Sequence, residues 1–158
     1  MSSTQDTKPS FDVTLLPLNM REKIFPSEER SFNGTQCWEW IACLNSRGYG
    51  LTAGGKKGKS ILTHRKAWEV IVGEIPVGLT IDHLCFNKIC VNTDHLEVVT
   101  GEENTRRAAA RITHCRHGHP LSGENLRIKR RRNGRSQREC KTCKAAYQRS
   151  YRARRLPA

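Results

Sequence analysis

A chain of 158 residues with 36% apolar and 6% aromatic content can build one modest core but is lean for its length, so a structural staple is expected. No run approaches the ~20 apolar residues that span a bilayer. Met1 to Ser10 is polar, without a charged-then-apolar signal pattern, so an intracellular, cytoplasmic chain that is not secreted is expected.

The formal net charge of +13 is unevenly placed. Residues 1–104 carry 11 Lys/Arg against 13 Asp/Glu, whereas residues 105–158 carry 17 against 2, a net of +15. Arginine predominates there, as suits bidentate contact with phosphate. No large apolar face accompanies the charge, which sets aside an anionic membrane and leaves nucleic acid as the natural partner. Seven cysteines and six histidines, with an odd cysteine count and no secretory signal, point to metal rather than disulfides.

Residues 1–36 read as an N-terminal extension. An apolar patch around Leu15 to Phe25 predicts a helical turn or two, which Pro26, Asn33 and Gly34 then break, and loose packing is expected. A central domain is drawn over 37–112. Trp38 and Trp40 alternate with polar neighbours as in a strand. Gly48 to Leu51 leads to a turn at Gly54-Gly55-Lys56-Lys57-Gly58, and Ser60 to Thr63 returns as an antiparallel partner. Ala67, Trp68, Ile71 and Val72 are spaced as on a helix over 65–72, closed by Gly73 and Pro76. Strands are predicted at Leu79–His83 and Leu96–Val99, separated by a cysteine-studded loop. Thr100 caps a helix over 101–112, with Glu103 in capping-box position. A second, smaller unit is drawn over 113–158, with a hairpin around Asn133-Gly134 and a basic helix over 144–155.

Two chemistries interleave between Asp82 and Asn104. Cys85, Cys90 and His95 recur every five residues on an irregular loop, which suits three ligands of a tetrahedral Zn²⁺ that needs a fourth. Cys37 or Cys43 can supply it. Cys37 is favoured because it abuts the Trp38/Trp40 strand, leaving Cys43 as a plain buried cysteine. His83, at a strand end, faces Asn104 with Asp82 alongside. Hard oxygen donors of this kind hold Mg²⁺ with positions left open, and imidazole, which titrates near ~6.5, can take a proton from water at neutral pH.

In the second unit, Cys115, Cys140 and Cys143 form a further zinc set completed by His114, His117 or His119. His119 is preferred, because Gly118 permits a tight turn and Pro120 ends it. Candidate nucleic-acid contacts are Arg65, Arg106, Arg107, Arg130, Arg131, Arg132, Arg135, Arg149 and Arg152, through phosphate above all.

The ordered set Cys37-Trp38-Glu39-Trp40, Gly48-Tyr49-Gly50, His64-Arg65, Ile81-Asp82-His83-Leu84-Cys85, Cys90-Val91-Asn92, His95-Leu96-Glu97 and Glu103-Asn104 resembles the phage-type HNH endonucleases. It is also similar to the His-Cys box homing endonucleases, both of the ββα-metal (His-Me finger) superfamily. The resemblance spans about residues 37–107. It implies a small α+β fold, a zinc-bound ββα-metal core with a C-terminal zinc-ribbon-like basic module. It implies His83 as general base, Asn104 as a Mg²⁺ ligand, and Cys85, Cys90 and His95 on a structural zinc with Cys37. HNH nucleases with an Asp-His pair use the Asp on the metal, whereas His-Cys box enzymes place a different residue there, so both roles stay open for Asp82. Asn92 would brace the loop through backbone hydrogen bonds. Phage HNH proteins also carry a similar trailing Cys…Gly-His-Pro…Cys-x2-Cys element.

The implied activity is metal-dependent hydrolysis of phosphodiester bonds in double-stranded DNA by a homing or phage endonuclease, acting inside the host cell if phage-encoded. It would use Mg²⁺ or another divalent ion for catalysis and two structural Zn²⁺. A symmetric double-strand cut would need a homodimer or sequential nicking. The rival reading, from a different class, is a non-catalytic zinc-dependent DNA-binding protein. An RNA-directed or structure-specific nuclease is a third.

Overall fold

The computed structural model describes residues 8–54, 58–132, 134 and 136–155. The fold is a small α+β arrangement of antiparallel hairpins and short helices. In chain order these are α1 (Leu18–Arg21), β1 (Ile24–Phe32), β2 (Thr35–Trp40), β3 (Leu51–Thr52), β4 (Ile61–Leu62), α2 (Thr63–Ile71), β5 (Leu79–His83), β6 (Leu96–Thr100) and α3 (Gly101–Arg111). Then follow β7 (Leu126–Arg130), β8 (Ser136–Cys140) and α4 (Lys141–Ala153). Each sheet has two strands, paired β1–β2, β3–β4, β5–β6 and β7–β8. The chain divides into units 1–104 and 105–158, the boundary falling inside α3.

The expected and observed elements part company at the N-terminus. Leu16, Met20 and Ile24 are buried with Trp40, Ala67, Ile71 and Val91 in one apolar cluster, so the segment from Leu16 to Ile24 joins the core where loose packing was expected. The reason is that Ile24 to Phe32 forms a strand. It pairs with β2 from Ile24↔Trp40 to Phe32↔Thr35, with a register shift between Pro26 and Ser31 that accommodates the proline. Asn33 (φ 49°) and Gly34 (φ 79°) make the connecting turn, and two positive φ values are what a two-residue hairpin with right-twisted strands demands.

Farther on, β3–β4, α2, β5, β6 and α3 fall where alternation and helical spacing place them. The predicted turn residues Gly55, Lys56 and Lys57 lie outside the described residues. Trp68, Ile75, Ile81 and Leu96 form a second cluster that seats β5 and β6 beside α2. The β5–β6 hairpin runs in register from Leu79↔Thr100 to His83↔Leu96, and Thr100 Oγ1 accepts the Glu103 amide at 3.1 Å, capping α3.

The unit 105–158 has little apolar interior. Among its described residues only Leu121 and Cys140 are buried hydrophobics. Polar ties replace packing. Arg138 donates through its guanidinium to the carbonyls of Ala109, Ile112 and Leu121, satisfying carbonyls at the end of α3. Asn125 Oδ1 accepts the Thr142 amide at 3.0 Å and its hydroxyl at 2.8 Å, holding the start of α4.

Candidate active site and metal centres

The loop between β5 and β6 is pinned by backbone bonds. Leu84 N–H reaches the His95 carbonyl at 2.8 Å, Phe86 reaches His83 at 3.1 Å, Cys90 reaches Asn87 at 3.1 Å and His95 reaches Asn92 at 3.0 Å. β2 then docks on this loop, Trp40 N–H donating to Ile89 and Val91 N–H to Trp38. That docking carries Cys37 to Cys90. The result is a group of Cys37, Cys85, Cys90 and His95 whose ligand atoms all lie within 4.8 Å of one another.

Two observations test whether this group suits a metal ion. The Sγ atoms of Cys37 and Cys90 each lie 3.5 Å from His95 Nδ1, close to the ~3.6 Å N···S edge of a tetrahedron with Zn–N of ~2.0–2.1 Å and Zn–S of ~2.3 Å. The second observation is the tautomer of His95. Thr35 Oγ1 donates its proton to the Phe32 carbonyl at 3.0 Å and contacts His95 Nε2 at 2.8 Å. The hydroxyl has one proton, so Nε2–H must donate to it and the lone pair sits on Nδ1, facing the sulfurs. A hydrogen bond from Cys90 lowers the Cys85 thiol to about 5, while burial and the neighbouring sulfur push Cys37 up to about 11. The cluster alone favours one negative charge, and a divalent cation would stabilise more.

Cys115, His119, Cys140 and Cys143 form a second group of the same composition. The Cys115–Cys143 sulfur separation is 3.6 Å, and His119 Nδ1 lies 3.5 Å and 3.3 Å from these two sulfurs. The chain reverses through Gly118 N–H to the Cys115 carbonyl at 2.9 Å. Cys140 caps α4, accepting the Cys143 amide, and this bond lowers its thiol to about 6. His114 instead contacts the Thr113 hydroxyl and His117 accepts from Arg116 Nε. Both Cys₃His groups could hold zinc. Cys43 joins neither group and is exposed, which corrects the expectation of a buried cysteine.

His83 ends β5 and is 6% exposed. Its Nε2–H donates to the Cys90 carbonyl at 3.2 Å. A carbonyl only accepts, so the neutral ring carries its lone pair on Nδ1. Asp82 is buried beside it in sequence, opposite Glu97 in the hairpin register, and Asn104 is half-buried in the first turn of α3. Asn92 Nδ2 donates to the Gln36 carbonyl at 3.0 Å and its Oδ1 accepts the Asp94 amide at 2.9 Å.

Tyr49 and His64 belong to motifs named in the sequence, but their packing against His83 was not foreseen, and Asn87 carried no signal. His64, at the start of α2, lies edge-on to His83 with ring centroids 4.6 Å apart, and Tyr49 packs against both rings. Burial, then the neighbouring His83 and Arg65, lowers His64 to about 3, so it is neutral. Asn87 is buried in the loop and donates to Glu39 Oε1 at 2.7 Å. No spacing rule links residues so far apart; the Gly48-Tyr49-Gly50 and His64-Arg65 motifs were the available signal.

Residues 62–106 match the family model described as HNH endonuclease, and that stretch contains Asp82, His83, Cys85, Cys90, His95 and Asn104. The chain resembles the HNH endonucleases of phages. It is 34% identical to "Protein 2.8" of Escherichia phage T7 over 88 residues, covering 56% of this chain and 58% of the relative. It is 32% identical to "Protein 7.7" of the same phage over 90 residues, covering 57% and 63%. The chain thus spans about three fifths of these curated relatives. No solved structure matches it significantly. No described helix is long and apolar enough to cross a membrane.

The arginines fall on both units. Arg65 is half-buried on α2; Arg106 is exposed and Arg107 half-buried on α3; Arg130, Arg131, Arg132, Arg149 and Arg152 are exposed. Arg131 is held by Gln137 Oε1. Arg135, and Asn133 of the expected turn, lie outside the described residues.

Proposed function

We propose that the chain is a metal-dependent endonuclease that hydrolyses phosphodiester bonds of double-stranded DNA, with His83 as general base. The observation that carries this reading is the hydrogen bond from His83 Nε2–H to the Cys90 carbonyl, inside the segment that matches the HNH model. It orients the imidazole so that Nδ1 can accept the proton of an attacking water. His83 also sits on the rim of a Cys₃His group, so a bound zinc would stiffen the loop that supplies the orienting carbonyl.

Asp82 and Asn104 are the residues proposed to hold the catalytic ion, Mg²⁺ or another divalent cation. Carboxylate and amide oxygens suit such an ion. When bound, it supplies charge stabilisation to the phosphate and the leaving oxygen. The remaining work belongs to side chains of this protein. His83 takes the proton, and His64, neutral and edge-on, supports its ring. Asn92 braces the loop between Gln36 and Asp94, and Thr35 fixes the His95 tautomer.

Structural zinc on Cys37, Cys85, Cys90 and His95 and on Cys115, His119, Cys140 and Cys143 completes a ββα-metal core, drawn over 37–112, and a zinc-ribbon-like basic module, drawn over 113–158. The net charge of +15 in residues 105–158 would grip DNA phosphate and make binding steeply salt-dependent. A phage or homing role inside a host cell fits the relatives, and a homodimer would supply two sites for a double-strand cut.

The test is conversion of supercoiled plasmid by the zinc-loaded chain with Mg²⁺. Nicked or linear product is expected, and its rate should fall by ~10²–10⁴-fold in His83→Ala while zinc content and circular dichroism stay unchanged. Full activity in that variant would remove His83 from the role. Binding without cleavage across several divalent ions would favour the non-catalytic reading.

A further inference from the structure

The helix α4 carries an aromatic ladder that packing does not explain. Tyr147 and Tyr151 lie one helical turn apart with ring centroids at 6.3 Å and planes at 24°. The Arg155 guanidinium continues the stack, its Cζ 4.7 Å from the Tyr151 ring centroid. Tyr147 and Tyr151 share one side of α4, and Arg155 follows in the turn just past the C-cap Arg154. Tyr147 is 66% exposed and Tyr151 44%, although this unit has almost no buried apolar residues of its own. Its two large aromatic rings are therefore left at the surface, stacked on one another and on Arg155 and not buried in a core. Exposed Arg149 and Arg152 lie on the same helix and Arg154 caps its C-terminal end, in a unit of net charge +15.

We propose that this face binds an unpaired stretch of DNA, its bases stacking on Tyr147, Tyr151 and the Arg155 plane while the surrounding arginines contact phosphate. The chemistry discriminates between strand states. In a duplex each base face is covered by its neighbours, so an exposed ring can meet only phosphate, sugar or base edges. A single strand presents both polyanion and open π faces, the combination that an aromatic and cationic ladder satisfies. The inference deepens the nucleic-acid reading of the basic unit and rests on that reading, but it does not depend on cleavage. It assigns substrates with single-stranded segments, such as gapped or forked DNA.

The experiment is fluorescence anisotropy of the zinc-loaded full chain without added Mg²⁺, at fixed salt. The probes are a labelled 20-mer oligothymidylate, an abasic strand of equal length and a 20-base-pair duplex. Wild-type protein should bind oligothymidylate about tenfold or more tightly than the abasic strand, the scale of one or two stacked bases. Tyr147→Ala/Tyr151→Ala should erase that ratio while changing duplex affinity by less than about threefold. Tyr147→Phe/Tyr151→Phe should retain it, since the ring face carries the contact. Equal wild-type affinity for the thymidylate and abasic strands would overturn the proposal without any variant. Equal loss on all three probes in the alanine variant would also overturn it. Failure of the nuclease assignment would leave these ratios intact, whereas binding to none of the probes would refute the nucleic-acid reading itself.

Discussion

His64 sits in the first turn of α2, 4% exposed, with its ring 4.6 Å from that of His83. Among the described residues its Nδ1 meets no hydrogen-bond partner. Burial holds it neutral, its pKa lowered to about 3. The consequence for stability has a definite sign. In the unfolded chain the imidazole takes up a proton near ~6.5, and in the folded chain it does not until far lower pH. Stability is therefore complete above about pH 6.5 and falls as the pH drops toward 3, at roughly 1.4 kcal/mol per pH unit over most of that range. Urea denaturation of wild type and His64→Gln at pH 7 and pH 5 checks this, because the glutamine does not titrate. The wild type should lose on the order of 1–2 kcal/mol more than the variant between those values. Parallel losses would show that His64 titrates normally.

At the scale of elements, the parts of the site most legible in the sequence were those set by local rules. Alternation located β5 and β6, and Thr100 with Glu103 marked the start of α3. The five-residue spacing of Cys85, Cys90 and His95 marked a ligand loop. β1 was obscured because Pro26 and the polar run Ser27 to Ser31 lack apolar alternation. It is a strand because β2 offers it a partner and Ile24 a place in the core. Asn33-Gly34 was the local signal that announced the hairpin, and it was legible as a break but not as a turn between strands. The His64–His83 contact depends on β3, β4 and α2 closing against β5, which no local rule contains.

The buried hairpin region makes a mutational claim. Met20 is 1% exposed within the cluster that includes Trp40 and Val91, so Met20→Ala should cost about 2–5 kcal/mol. A loosely packed extension would show almost no change in the same denaturation curve. Gly50 adds a backbone constraint, because a Cβ there would lie 2.7 Å from Trp40 Cδ1. Gly50→Ala should destabilise by a kcal/mol or more, as overpacking does.

At the scale of the whole molecule, the two units differ in what holds them together. Residues 1–104 contain two apolar clusters. Among the described residues of 105–158, only Leu121 and Cys140 are buried hydrophobics. Metal binding free energy then becomes folding free energy for the second unit. Mass spectrometry under native conditions should find two zinc ions per chain. Cys140→Ser should leave one, with hydrogen-exchange protection lost across 105–158 and kept in β5, β6 and α2. Retained protection in β7, β8 and α4 of that variant would show that the unit folds without its metal. The lean composition of the chain had pointed to such a staple, and a second unit was drawn over 113–158, whereas the observed boundary falls at residue 105.

The most direct test of His83 as the base is chemical rescue. Removing the imidazole in His83→Gly should abolish Mg²⁺-dependent plasmid cleavage without loss of zinc. Free imidazole added to that variant should restore cleavage in proportion to its neutral fraction, so that rescue rises with pH through the titration of imidazole. Undiminished cleavage by His83→Gly, or a folded, DNA-binding variant that imidazole leaves inert, would contradict the account.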